Sequence, residues 1–257
     1  GECCLAQALE FLLALAEQTG KSIGGDSFEK MAQLYIEKGY LADDAMLRTL
    51  ACVKSTRDRE AVVAAIRSMY ESWLEETTIH FQKLLAGNPF PISSEVSAEA
   101  GECLLFVDGL RFDVAQRLVG MAKGQGLKVT NAWRWAALPT VTATAKPAVS
   151  PIAKNLEGKD LGENYMPHLA KGESLLTPDR FHKLLADSGY QVLGAGESGD
   201  PSPENARGWS EYGKFDDLGH KLQSGLAAHI EGELQLVVER LQGLLDAGWK
   251  KIGRAHV

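Results

Sequence analysis

Three polar clusters in this 257-residue sequence hold residue types that bind cations and attack electrophiles. The first is Val107-Asp108-Gly109-Leu110-Arg111-Phe112-Asp113, directly after the apolar run Leu104-Leu105-Phe106-Val107. A carboxylate at the carboxyl end of a strand can bind a hard or borderline metal ion. Gly109 permits a sharp turn at that point. The same Asp108 would serve equally as the N-cap of a following helix. Asp113 suits the first helical turn, where a negative charge is favoured. Arg111 can pair with a phosphate or with Asp113, and the sequence does not choose between them.

The second cluster is Leu138-Pro139-Thr140-Val141-Thr142-Ala143-Thr144-Ala145-Lys146-Pro147. A threonine hydroxyl beside a divalent cation can lose its proton and attack phosphorus. If a helix starts here, its free N–H groups also favour an anion. Capping and turn roles are the plain alternative for a threonine-rich loop. The third cluster is Phe215-Asp216-Asp217-Leu218-Gly219-His220, in which Asp216 and His220 stand four apart. That carboxylate and that imidazole can converge on one cation, although a surface Asp and a helix-start His share the same spacing.

The elements expected to carry these clusters change character along the chain. Apolar positions from Leu5 to Leu13 recur at helical spacing. A second helix is expected from Ser27, a third over Ala42–Val53, and a fourth after Ser55, with Ser55 and Asp58 as a capping box and a run to about Leu85. Gly87-Asn88-Pro89-Phe90-Pro91-Ile92-Ser93-Ser94 reads as a linker. The pattern beyond it alternates strand and helix. Strands are expected at Leu104–Val107, Leu127–Trp133 and Tyr190–Leu193, and helices at Val114–Gln125, Asp179–Ser188 and His220–Ala247, the last closed by Gly248 as C-cap. Such alternation predicts an α/β fold with a parallel sheet, whose ligands sit beyond the carboxyl ends of its strands. The expected organisation is a helical region over 1–95, an α/β domain over 96–251, and a tail over 252–257. That tail, Ile252-Gly253-Arg254-Ala255-His256-Val257, is what a common sequencing adapter encodes in one reading frame, so it is expected to be non-native and His256 to have no role.

Composition narrows the function classes. The net charge of −7 gives no support to direct nucleic-acid binding. The four cysteines, Cys3, Cys4, Cys52 and Cys103, form no C-x-x-C pair and fit a reducing, cytoplasmic setting. No apolar stretch reaches the roughly 18 residues of a membrane span. No Walker sequence supports a nucleotide-binding reading.

Taken in order, the three clusters resemble the PglZ domain of bacterial BREX phage-defence systems, a branch of the alkaline phosphatase superfamily. The resemblance rests on Phe106–Asp113, on Leu138–Thr142 with Lys146-Pro147-Ala148, on Asp216–His220, and on the long helix ending Ala247-Gly248-Trp249. It covers roughly 101–251 with gaps, so an incomplete alkaline-phosphatase-like domain is expected. It implies a two-metal site, zinc first and manganese or magnesium as alternatives. Asp108 and a nucleophilic threonine, Thr142 ahead of Thr140, would belong to one metal, and Asp216 and His220 to the other. The implied activity is metal-dependent hydrolysis of a phosphate ester, and the implied partners are other defence proteins, including a methyltransferase. The family pattern continues with a Thr-Asp-His-Gly motif and a further histidine that this sequence lacks. Of the remaining histidines, His80, His168, His182 and His229, His80 and His229 lie on expected helices and read as surface or core residues, and His168, in an irregular segment near Pro167, is a weak candidate ligand. The chain is therefore expected to bind metal poorly and not to turn over substrate. The alternative is a non-catalytic module that docks other members of the defence complex.

Overall fold

Ser27 and Ser55 each stand just before a helix in extended backbone, and each hydroxyl accepts a hydrogen bond from the backbone N–H three residues on, Lys30 and Asp58. That bond satisfies one of the donors every helix leaves open at its start. Ser55 also donates to the Asp58 carboxylate at 2.7 Å, a variant of the expected capping box. The computed structural model describes residues 2–91, 96–158, 166–171 and 174–255. Of the expected linker, residues 92–94 lie outside the described residues, as does His256.

The chain divides into two compact units, and each is described by itself. The first comprises 1–91 with 112–117 and 221–231. Its helices are α1 (Glu2–Thr19), α2 (Phe28–Leu34), α3 (Tyr40–Cys52) and α4 (Thr56–Gly87), with a π-helical turn over Tyr35–Gly39 leading into α3. α1 packs on α3 and α4. Leu15, Ala42, Ala45, Leu50, Ile66 and Trp73 are buried in this unit. Two carboxylates on α3 are held by other elements. Asp43 accepts from the hydroxyls of Tyr35 and Tyr70. Asp44 pairs with Arg48 at 2.7 Å and with the almost fully buried Arg117.

The second unit comprises 92–111, 118–220 and 232–257. Its sheet contains β1 (Glu102–Val107), β4 (Gln191–Leu193), β5 (Arg207–Tyr212) and β6 (Lys251–Ala255), in the order β4-β5-β1-β6 and parallel throughout. β1 is buried at all six positions, as expected of a strand covered on both faces. Side chains alternate across it. Leu104 and Phe106 join Val149, Ile152, Phe181, Leu185 and Trp209 on one side. Cys103 joins Leu193, Leu244 and Trp249 on the other. The helices of this region are α5 (Phe112–Gly124), α6 (Thr142–Ala148), α7 (Pro178–Asp187), α8 (Lys214–Leu222) and α9 (Ile230–Asp246), of which α5, α8 and α9 each carry residues of both units. A two-residue ladder, β2 (Leu156–Glu157) with β3 (His168–Leu169), completes it. The chain is thus an α/β protein, with N-terminal helices followed by a four-stranded parallel sheet flanked by helices. None of its described helices is long and apolar enough to cross a membrane.

Two expected elements are corrected. Leu127–Trp133 forms no strand. No described strand pairs with it, and Thr130–Trp133 is exposed, so it lacks the burial that would hold a strand in the sheet. The helix expected over His220–Ala247 is interrupted. α8 ends at Leu222, a 3-10 segment runs from Gln223 to Ala228, and α9 begins at Ile230. Gln223 has a φ of 48°, a left-handed conformation that a regular helix cannot hold. Gly248, at φ 108°, stops α9 as expected. Residues 251–255, which include 252–255 of the tail read as non-native, pair with β1 from Glu102 to Phe106.

Candidate active site

β1 and β5 are neighbouring parallel strands, so their carboxyl ends open on one edge of the sheet. Asp108 follows β1, and its N–H continues the ladder by donating to the Tyr212 carbonyl at 2.8 Å. Asp216 lies in the first turn of α8, which follows β5. Gly109 joins the two. Its φ is 69°, and a Cβ there would stand 2.9 Å from the Asp216 nitrogen and 3.2 Å from its Cα. Only glycine allows both the left-handed turn and this approach.

Thr142 is the first residue of α6, and its hydroxyl donates to both carboxylate oxygens of Asp108, at 3.1 and 3.2 Å. Burial pushes the Asp108 carboxyl above the usual aspartate range. The Thr142 hydroxyl opposes that, the Asp216 charge adds to it, and Lys146 and the Gly109 N–H oppose it. Asp108 is therefore a carboxylate inclined to take up a proton. The three threonines of the cluster have separate roles. Thr140 is exposed on the loop. The Thr144 hydroxyl turns inward to the carbonyls of Pro139 and Val141 and closes the turn before the helix. Thr142 alone of the three reaches Asp108.

His220 stands one helical turn beyond Asp216, with its Nε2 3.5 Å from Asp216 Oδ2 and its side chain 81% exposed. The structure therefore brings Asp108, Thr142 and Asp216 to one edge of the sheet and tethers His220 to Asp216. Among the described residues, no three of His, Cys, Asp and Glu converge closely enough to hold a metal ion. The donors suit a divalent cation in kind, because two neighbouring carboxylates repel each other, but they fall short of a ligand set in number.

Comparison with protein-family models, curated proteins and solved structures returned no match to this chain.

A second group lies beside the first and was not singled out in the sequence. Glu211 on β5 accepts from Lys146 Nζ at 3.0 Å, from Trp209 Nε1 at 2.9 Å, and pairs with His182 Nε2 at 3.0 Å. Burial alone would raise its carboxyl, but the Trp209 N–H, the Lys146 ammonium and the His182 ring outweigh burial and hold it below the usual glutamate range. Lys146 is four residues after Thr142, on the same face of α6, and also lies over the Phe181 ring at 5.3 Å. The i, i+4 spacing of Thr142 and Lys146 was the available signal. Glu211 and His182 gave none, because they meet only once β5 pairs with β1 and α7 covers the sheet. His80 on α4 bonds the Gly25 carbonyl, His168 is on β3, and His229 caps the segment before α9.

Proposed function

We propose that this chain carries the nucleophile side of a phosphoric ester hydrolase site, with Thr142 as nucleophile and Asp108 as its proton acceptor. The observation that supports it most is the two-pronged hydrogen bond from the Thr142 hydroxyl to a half-buried carboxylate inclined to take up a proton. In the proposed step the Thr142 oxygen bonds to phosphorus and its proton passes to Asp108. The bond from phosphorus to the ester oxygen breaks, and the alcohol leaves with the bonding pair, protonated by solvent. Water then releases phosphate from Thr142. Were divalent cations bound, zinc first and manganese or magnesium after it, Asp108 with Thr142, and Asp216 with His220, would hold them, and the cation at Asp108 would take over from that carboxylate the task of activating the Thr142 hydroxyl. Such ions would supply Lewis acidity and charge neutralisation. Thr140, exposed two residues earlier, is the secondary nucleophile position.

Together with the motif resemblance, this reading gives a PglZ-type phosphatase or phosphodiesterase domain of a cytoplasmic phage-defence system, working beside a methyltransferase. The chain itself is expected to be inactive, since the Thr-Asp-His-Gly motif and further histidine that the resemblance implies are not in this sequence. The second reading is a docking module without catalysis. The test uses bis-p-nitrophenyl phosphate with zinc, on this chain and on an intact gene that carries it. The enzyme reading expects hydrolysis only by the intact product, reduced at least ~10²-fold by Asp108→Asn and further by Thr142→Ala. If both variants keep full hydrolysis, Thr142 and Asp108 are not the reacting pair. If the intact product is inert with every metal, the module reading prevails.

A further inference from the structure

Thr142 and Lys146 face a cavity of about 230 Å3 whose other walls are chiefly apolar. Met166, Leu176, Pro178 and Phe181 supply them, and Phe181 and Leu176 also belong to the core beneath. Thr142, whose hydroxyl donates to Asp108, is therefore one of the residues lining an apolar recess, with Lys146 one helical turn away on the same wall. A cavity of about 150 Å3 with apolar walls accepts benzene, so this one has room for a single aromatic ring and its substituent.

We infer that this cavity is the subsite for the organic group of the ester, and that the substrate class is a small aryl or similarly apolar phosphate ester. The inference rests on the reading of Thr142 as the residue that meets phosphorus. The apolar walls match the organic half of such a molecule. The phosphoryl end would lie at the Thr142 hydroxyl, near Lys146. The ring would lie against Phe181, Leu176 and Met166. The Lys146 ammonium is anchored by Glu211 at 3.0 Å, so it sits at a fixed place on the cavity wall. A nucleic-acid strand fits poorly, because its sugar and neighbouring phosphates would lie against apolar walls, and the net charge of −7 offers no wider attraction. In the displacement described above, the departing oxygen carries the bonding pair away on an aryl group already lodged in the recess.

The test is binding to the full 257-residue chain by titration calorimetry in zinc-containing buffer, with phenyl phosphate, inorganic phosphate and phenol as probes. Phenyl phosphate is expected to bind at least ~10-fold more tightly than inorganic phosphate, the effect of burying one phenyl ring. Ala143→Phe fills the recess from its half-exposed rim and is expected to abolish that advantage while leaving inorganic phosphate unchanged. Its circular dichroism and urea midpoint establish that it folds. Thr142→Ala keeps the recess and is expected to retain the advantage. Equal affinity for phenyl phosphate and inorganic phosphate, or an advantage that survives Ala143→Phe, overturns the subsite. Phenol binding as tightly as phenyl phosphate instead shows that no phosphoryl group is held at Thr142. That result overturns the proposed function as well, so the two failures are distinguishable.

Discussion

Replacing Glu211 with Gln leaves its volume nearly unchanged and removes the charge on which three donors converge. Oε1 receives Trp209 and His182, and Oε2 receives Lys146. A carboxamide has one oxygen. If that oxygen stays with Trp209, whose indole is fully buried, the amide nitrogen faces Lys146 and two donors oppose each other. A hydrogen bond to a charged group contributes ~1.5–3 kcal/mol. The Lys146 and Glu211 side chains are 19% and 28% exposed, so water recovers part of the loss. The expected destabilisation is ~2 kcal/mol at neutral pH, and ~3 kcal/mol for Glu211→Ala, which also leaves the indole N–H unpaired in the core. The assay is urea unfolding followed by tryptophan fluorescence, because Trp209 lies in the sheet. Acidity gives an independent check. The folded carboxyl is held below its unfolded value, so its contribution is complete above the unfolded glutamate pKa of about 4.3 and is lost as pH falls through the folded value. The gap between wild type and Glu211→Gln should therefore stay constant from neutral pH down to about 5 and narrow below about 4. A variant within ~0.5 kcal/mol of wild type at neutral pH, or a gap indifferent to acid, would refute the idea that charge holds this network.

Two further predictions concern the site. Asp108→Asn is expected to stabilise the fold at neutral pH by up to ~1 kcal/mol, because the folded carboxyl is raised by burial and by Asp216. The native state then binds the proton more readily, so wild-type stability declines as pH rises through the window above the unfolded aspartate value of about 3.9. The difference should vanish at pH about 3 in a series of urea midpoints. Gly109→Ala is expected to cost ~1–3 kcal/mol by the same measurement, from the left-handed backbone and from the 2.9 Å approach to Asp216. A mutant as stable as wild type would show that the turn after β1 does not lie against α8.

The sequence shows the parts of this molecule that are locally patterned. Ser27 and Ser55 announce their helices because a cap needs only a hydroxyl and the next three residues. The uniformly apolar Leu104–Val107 announces a strand buried on both faces. β5 was hidden, because Arg207-Gly208-Trp209-Ser210-Glu211-Tyr212 has neither an apolar run nor a simple apolar alternation. Its Trp209 belongs to the core, while Glu211, two residues on, takes its partners from α6 and α7. Conversely, Leu127-Lys128-Val129-Thr130 has the alternation of a strand and no partner to pair with. The break at Gln223 is equally invisible to a helical reading that continues through Leu222 and Leu226. At the site, Asp108, Thr142, Asp216 and His220 were legible as residue types. The Lys146–Glu211–His182 group was not, since nothing local links positions 146, 182 and 211.

The charges around Thr142 bear on what the site is built to receive. Lys146 lowers the Asp108 pKa, yet its ammonium lies 3.0 Å from Glu211, a carboxylate that stays ionised because Trp209, Lys146 and His182 all favour its charge. Lys146 is thus largely neutralised before any ligand arrives. Asp216 meanwhile adds a second negative charge beside Asp108. A phosphate dianion approaching Thr142 meets more negative charge than positive unless cations accompany it. The arrangement is unfavourable for binding a bare anion, and under the proposed reading a divalent cation would supply the missing positive charge. Glu211 therefore acts on the proposed chemistry through Lys146. It fixes the lysine at the wall of the apolar recess, and by neutralising it leaves the charge balance at Thr142 to whatever Asp108 and Asp216 bind.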